Sequence, residues 1–315
     1  MTVLKPFRIE PALEERVWGG TRLGEHQPPY GEAWIVCDQN VIVSGSFAGQ
    51  RLADVVGAHP VELLGKPVFE SEGAVFPLLI KLLDPADWLS IQVHPDDVLA
   101  AEIEGSGFRG KTEAWYVLEA EPGAELIAGI RPGITPDDVA DVIRHGALDV
   151  LLERHPVRAG DALLVEAGLI HALGTGVFIY EVQQSSDLTY RVSDWGRPAS
   201  AGRALHIEQS VRAAKPELRP QFAPMLKRDE SSSFRVLGCR YFELELVDSD
   251  GTPVGRDTHG RSFAAITLIE GGADLVSGND RLELRTYESA IVPALVGSYR
   301  LDGSGPFRAL VSTVP

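Results

Sequence analysis

The sequence predicts a mainly β protein, with two β-sandwich or jelly-roll domains and a few peripheral helices. Three observations carry this expectation. Short apolar runs bounded by Gly, Pro or Asp recur along the whole 315-residue chain. The 32 Gly and 21 Pro show no fixed period, which fits many turns better than collagen or disorder. Helical patterns, by contrast, are few. At about 150 residues per domain the length points to two domains. A content of 44% hydrophobic and 23% charged residues leaves ample apolar surface for a core.

In order along the chain, strands are expected over residues 33–37, 89–93, 114–118, 126–130, 161–165 and 178–183. A helix is expected over 51–64, with Leu52, Val55, Val56, Leu63 and Leu64 on its apolar side and His59-Pro60 as a place to split. The stronger helix covers 135–152. Thr135 can cap it, Pro136 suits the first turn, and Asp137 and Asp138 complement the dipole. Val139, Val142, Ile143 and Val150 line one side. Between 214 and 233, the pairs Lys215-Pro216, Arg219-Pro220 and Ala223-Pro224 lead into Ser231-Ser232-Ser233, which reads as an extended connection. Short strands follow over 234–247, 262–269, 273–276, 282–285, 289–292, 298–301 and 307–311. This places a first domain over 1–230 and a small second β-sandwich over 231–315. The second has a single histidine, His259, and is expected to be structural.

The formal charge of −16, from 45 acidic and 29 basic residues, opposes binding to nucleic acid or anionic membrane. A phosphorylated ligand would need its own local Arg and Lys. Cys37 and Cys239 form no CxxC pair, so they are expected to be small reduced side chains of a cytoplasmic protein. Residues 1–10 carry no apolar run of signal-peptide length, and no charge-free stretch approaches the ~20 residues that span a bilayer. A soluble protein is expected. Its oligomeric state stays open, a monomer being the simpler case.

Candidate chemistry gathers in the first domain. In Leu89-Ser90-Ile91-Gln92-Val93-His94, residues two apart share a strand face, so Ser90, Gln92 and His94 project together. Glu113 opens an apolar strand, where a buried carboxylate needs an offsetting cation; an edge position in water is the alternative. From Gly160 to His171 a turn, a short strand and a second turn at Gly168 precede the histidine. That spacing resembles the cupin motif G(x)5PxGxxH, with Glu166 standing where the motif has Pro. His94, Glu113 and His171 offer two imidazoles and a carboxylate, with Gln92 a candidate fourth, oxygen ligand. The set suits zinc, iron or manganese and leaves positions for water or substrate, unlike a closed Cys-rich structural site. The five tryptophans, Trp18, Trp34, Trp88, Trp115 and Trp195, are read first as core.

With these residues assembled, the chain resembles the type I mannose-6-phosphate isomerases (phosphomannose isomerases) of the short bacterial form. The resemblance rests on Trp18-Gly-Gly, Gly31-Glu-Ala-Trp34, Phe76-Pro-Leu-Leu-Ile-Lys81, Leu89-Ser-Ile-Gln-Val-His-Pro-Asp-Asp97 and Lys111-Thr-Glu-Ala-Trp-Tyr116. It continues in Gly168-Leu-Ile-His-Ala-Leu-Gly174 and in the run from Tyr180 through Arg191 to Trp195. Residues 231–315 carry no motif of their own. The resemblance implies cupin-type domains and one divalent metal, zinc first, on Gln92, His94, Glu113 and His171. It implies an active-site arginine at Arg191, a proton-transfer acid at Glu181, and pocket positions at Ser90, Lys81 and Lys111. Lys111 is a second candidate for the proton shuttle.

The implied reaction interconverts mannose 6-phosphate and fructose 6-phosphate through an enediol, which a metal and a positioned base would assist. Arg191 would then hold phosphate or the enediolate, although a salt bridge to Asp187 or Asp194 is the plainer reading. Lys81 could equally snorkel from its apolar strand. Two rivals remain. A cupin non-haem dioxygenase uses the same two-His, one-carboxylate set. A non-catalytic sugar-phosphate-binding cupin would bind without turnover.

Overall fold

The structure, a computed structural model, describes residues 4–146, 148–197, 203–223 and 233–315. Over these residues the chain forms two compact units, one from segments 4–12, 34–81 and 233–315 and the other from segments 13–33 and 82–223. Both are built from antiparallel β-sheets, and helices are short.

The second of these units carries the candidate site. In one sheet the strands run in the order Tyr190–Ser193, Ile91–Val93, His171–Leu173, Glu125–Ile130 and Leu152–Pro156. In the other, Gln221–Phe222, Ala162–Val165, Glu113–Ala120 and Val177–Gln184 lie side by side in that order. Val177–Gln184 is buried along its whole length, with Val177–Tyr180 and Val182 in the core and Glu181, Gln183 and Gln184 as buried polar side chains. Trp18, Trp115, Val117, Leu126, Leu163, Leu173 and Ile179 form one core cluster. Ile91, Val93, Ile127, Ile143, Ile170 and Val192 form another. Each expected strand of this unit is present, extended or trimmed by a few residues.

The helix expected over 135–152 is shorter. It spans Pro136–His145, opened by a reciprocal cap: Thr135 Oγ1 accepts from Asp138 N–H at 3.2 Å, and Asp138 Oδ2 from Thr135 N–H at 3.1 Å. Gly146 ends it in the left-handed conformation (φ 72°), with its N–H directed at the Val142 and Ile143 carbonyls. A 3-10 turn over Leu148–Leu151 and strand Leu152–Pro156 follow, so Val150, expected to be covered, is exposed. A helix over Asp97–Glu104, capped by Asp96, was not expected; it has about two turns, too few for a periodic pattern.

Of the expected connection over 214–233, residues 224–232 lie outside the described set, including Pro224, Ser231 and Ser232. The described part is not a simple spacer. Lys215 N–H donates to Gly168 O at 2.9 Å, and Gln221–Phe222 pairs with Ala162–Val165.

The other unit has a six-stranded sheet, ordered Phe7–Ile9, Ser289–Val292, Ala264–Glu270, Phe307–Thr313, Glu243–Ser249, Ser233–Gly238. A four-stranded sheet is ordered Val254–Asp257, Ser298–Gly303, Gly272–Ser277, Asp280–Arg285. Ile266, Leu268, Leu275, Leu301 and Phe307 fill its core. The single strand expected over 234–247 is a hairpin that turns at Gly238-Cys239, where Cys239 N–H donates to Phe242 O at 2.9 Å. The helix expected over 51–64 divides at His59 into Leu52–Ala58 and Pro60–Leu64, and Lys66–Glu72 adds a third short helix. Cys37 and Cys239 are free. Among the described residues no helix is long and apolar enough to cross a membrane.

Candidate metal centre

Three strand ends bring the candidate ligands together. His94 directly follows strand Ile91–Val93, Glu113 opens Glu113–Ala120, and His171 opens His171–Leu173. The turn before His171 is fixed to His94 by a 2.9 Å hydrogen bond from Gly168 N–H to His94 O. Gly168 has φ +101°, and a Cβ there would come within 2.6 Å of the Lys215 side chain. Glycine is therefore required in this turn.

His94, Glu113 and His171 are all buried, and their ligand atoms lie within 4.8 Å of one another. His94 Nδ1 is 2.9 Å from Leu188 O, and His171 Nδ1 is 2.9 Å from Leu169 O. Carbonyl oxygens only accept, so each Nδ1 carries the proton and each Nε2 presents a lone pair. Those lone pairs face the carboxylate: His94 Nε2 is 3.3 Å from Glu113 Oε2, and His171 Nε2 is 3.4 Å from Glu113 Oε1. Lone pairs pointed at a carboxylate repel unless a cation sits between them. Neither Glu113 oxygen has a hydrogen-bond partner among the described residues, and Lys111 Nζ, 2.8 Å from Oε2, is a charge contact outside hydrogen-bond alignment. This donor set fits a divalent cation.

The ionisation states agree. Burial, with the Lys111 charge adding to it, pushes the His94 pKa down to about 3, and burial also lowers that of His171. Burial alone would raise Glu113, but Lys111 and then the two histidines overcome it and hold the carboxyl well below its ordinary range. Burial likewise works against a charged Lys111, yet Glu113 and Glu181 hold its pKa above the ordinary lysine value. Neutral imidazoles and an ionised carboxylate are the forms that bind a metal.

The other sequence candidates fall into two groups. Gln92 is paired in register with His171 on one side and Arg191 on the other, and its amide lies 3.2 Å from His171 Nε2. Arg191 is in strand Tyr190–Ser193. Its Nε donates to Ser90 Oγ at 3.3 Å and its Nη1 to Ala204 O at 2.9 Å. Glu181 Oε2 accepts from Trp115 Nε1 at 2.9 Å, and the Trp115 ring stands edge-on to His171 at 5.4 Å. Lys111 Nζ is also 3.3 Å from His94 Nε2. Lys81 belongs to the other unit, where its ammonium is 5.1 Å from the Trp34 ring. Its assignment to substrate rests on the motif alone.

Sequence reasoning missed the charges behind Arg191. The plainer reading paired Arg191 with Asp187 or Asp194, but Asp194 instead holds Arg203 (2.7 and 2.9 Å) and Arg197 (2.9 Å). Burial, with Arg203 and Arg197 nearby, pushes the Arg191 pKa down from the usual guanidinium value. Three guanidiniums against two carboxylates, Asp194 and, through Arg197, Asp87, leave a net positive patch in an acidic protein. The one available signal was the density of Arg and Asp between 191 and 203.

Antiparallel sheets with two imidazoles and a carboxylate buried at their strand ends define a metalloenzyme scaffold of the cupin type. The family description for the type I phosphomannose isomerase catalytic domain matches residues 7–124. The chain is 34% identical to the mannose-6-phosphate isomerase of Streptococcus mutans, over 95% of this chain and 96% of that one. It superposes on the crystal structure of the mannose 6-phosphate isomerase from Bacillus subtilis with a TM-score of 0.86, at 30% identity and covering 98% and 99% of the two chains. A zinc-bound holo mannose 6-phosphate isomerase shares the fold, with a TM-score of 0.77 at 19% identity over 98% and 99% of the two chains. The chain belongs to the type I phosphomannose isomerase family.

Proposed function

We propose that this chain interconverts mannose 6-phosphate and fructose 6-phosphate, moving a proton between C1 and C2 through an enediol. The observation that carries the reading is the pair of Nε2 lone pairs directed at the Glu113 carboxylate, on a chain that aligns end to end with relatives of that name. A divalent cation, zinc on this reading, would be held by His94, Glu113 and His171 with Gln92 as a fourth ligand, and when bound would polarise the sugar oxygens.

The protein's own groups divide the remaining work. Glu181, an acceptor oriented by Trp115, is the base for the carbon-bound proton. Lys111, a buried ammonium between Glu113 and His94, donates to oxygen as charge develops there. Arg191, steadied by Ser90, clamps the anionic end of the substrate with its forked donors. That clamp must work against a field set by the −16 net charge, which the Arg197 and Arg203 charges locally offset. The reading places the enzyme in the cytoplasm.

The test is coupled conversion of mannose 6-phosphate to fructose 6-phosphate, with and without chelator, in wild type and His171→Ala. Turnover abolished by chelator and by the substitution supports the proposal. Full activity in the variant overturns the metal assignment, and a zinc-loaded wild type without turnover overturns the substrate.

A further inference from the structure

Gln183 lies on the sheet face of Glu113 and carries a buried acceptor without a partner among the described residues. It pairs directly across from Glu113 in the strand register, as Glu181 pairs with Trp115, so its side chain shares the face of the ligand carboxylate. The residue is 0% exposed. Its Nε2 donates to Gln184 O at 3.0 Å and also to Ser186 O. Two carbonyls on that side pin the amide, because a flipped group would set oxygen against oxygen. Gln183 Oε1 therefore points away from them, and it has no hydrogen-bond partner among the described residues. A buried acceptor left unmade is costly, and such groups call for an explanation.

The protein donors around the centre are already directed elsewhere. Lys111 Nζ sits on Glu113 and His94, Trp115 Nε1 donates to Glu181, and both imidazole Nδ1–H groups donate to carbonyls. None of these donors is left for Gln183 Oε1, so its donor is a bound molecule, a water or a ligand. Gln183 Oε1 and both Glu113 oxygens are alike buried and unpartnered among the described residues, on the same face of paired strands.

We propose that Gln183 is a specificity-determining residue whose Oε1 accepts a hydrogen bond from a non-reacting sugar hydroxyl, the one on C3 next to the reacting carbons. C3 is chosen because cross-strand neighbours stand about 5 Å apart at Cβ, so Gln183 lies beside Glu113 and hence beside the carbons whose oxygens a metal on Glu113 would bind. This inference rests on the isomerase reading.

The experiment measures kcat/KM for fructose 6-phosphate and its 3-deoxy and 4-deoxy analogues, with zinc-loaded full-length wild type, Gln183→Met and Gln183→Leu. Zinc content, melting temperature and calorimetric Kd are followed in parallel. Wild type should lose about tenfold or more on the 3-deoxy sugar, since a site built for a hydroxyl rejects the analogue lacking it. In Gln183→Met the 3-deoxy ratio should collapse to near one, with the 4-deoxy ratio and zinc content unchanged. Gln183→Leu, likewise apolar and without an acceptor, should lose the 3-deoxy discrimination in the same way, and it carries the test should Gln183→Met not fold. An unchanged 3-deoxy ratio in Gln183→Met, including equal losses on every sugar as a structural or water-binding role would give, overturns the proposal, as does an unchanged ratio in Gln183→Leu. A wild type that does not turn over fructose 6-phosphate overturns the isomerase reading and this inference with it. Turnover with a variant-independent ratio overturns this inference alone.

Discussion

Replacing Glu113 by glutamine strips the charge from the centre and leaves Lys111 buried without its nearest counter-ion. In the metal-free protein Lys111 Nζ lies 2.8 Å from Glu113 Oε2, with side-chain exposures of 4% and 0%. At an effective dielectric of 20 that separation corresponds to roughly 6 kcal/mol of attraction. Much of it offsets desolvation, and breaking one side of a buried pair costs about 3–5 kcal/mol. For a unit of this size, each kcal/mol shifts the melting temperature by about 2–4 °C. Metal-stripped Glu113→Gln should therefore melt about 6–20 °C below metal-stripped wild type. Adding Lys111→Met should recover most of the loss, because no unpaired charge then remains. The assay is thermal unfolding of the three proteins after chelation. A Glu113→Gln variant within about 1 kcal/mol of wild type, or a double variant no more stable than the single one, would refute the account of this centre as a buried, charge-coupled cluster.

Acid should destabilise the metal-free protein in a defined window. His94 is depressed from 6.5 to about 3 in the folded state, so the unfolded chain binds its proton first. Stability is then full above about 6.5 and is lost as pH falls toward 3, at roughly 1.4 kcal/mol per unit from this imidazole, with His171 acting in the same direction. A urea midpoint that stays flat between about pH 7 and 5 would contradict it. Gly168→Ala should cost about 1–3 kcal/mol through its φ of +101° and its contact with Lys215, and should weaken zinc binding by disturbing the link to His94; chemical denaturation and metal titration read the two effects. Arg191→Lys keeps the charge but loses the fork, so KM for the sugar phosphate should rise about tenfold or more while zinc content holds. An unchanged KM would remove Arg191 from the anion clamp.

The centre was legible in the sequence where its geometry is local. Gln92 and His94 share a strand face by alternation, and the spacing from Gly160 to His171 encodes strand, turn and ligand. The tautomers were not legible, because they depend on the carbonyls of Leu169 and Leu188, which only the folded chain brings to the rings. Asp194 illustrates the same limit: its partners, Arg197 and Arg203, are close in sequence, yet which arginine it takes is decided by packing. Gln183 has no sequence signal at all, since an unmet acceptor exists only once the partners of its amide nitrogen are known. In the fold, long strands and the capped helix at Thr135 were readable. The two-turn helix after Asp96 and pairings such as Phe7 with Ile291 were not, because neither leaves a periodic local pattern.

On the proposed reading His94, Glu113 and His171 hold one catalytic divalent metal. Its most direct test adds zinc stepwise to chelator-stripped protein while following mannose 6-phosphate conversion. Activity should be absent at the start, rise linearly and break at one equivalent of zinc per chain, with no rise in Glu113→Gln or His171→Ala. Full activity in the stripped protein, or an unaltered titration in either variant, would contradict it.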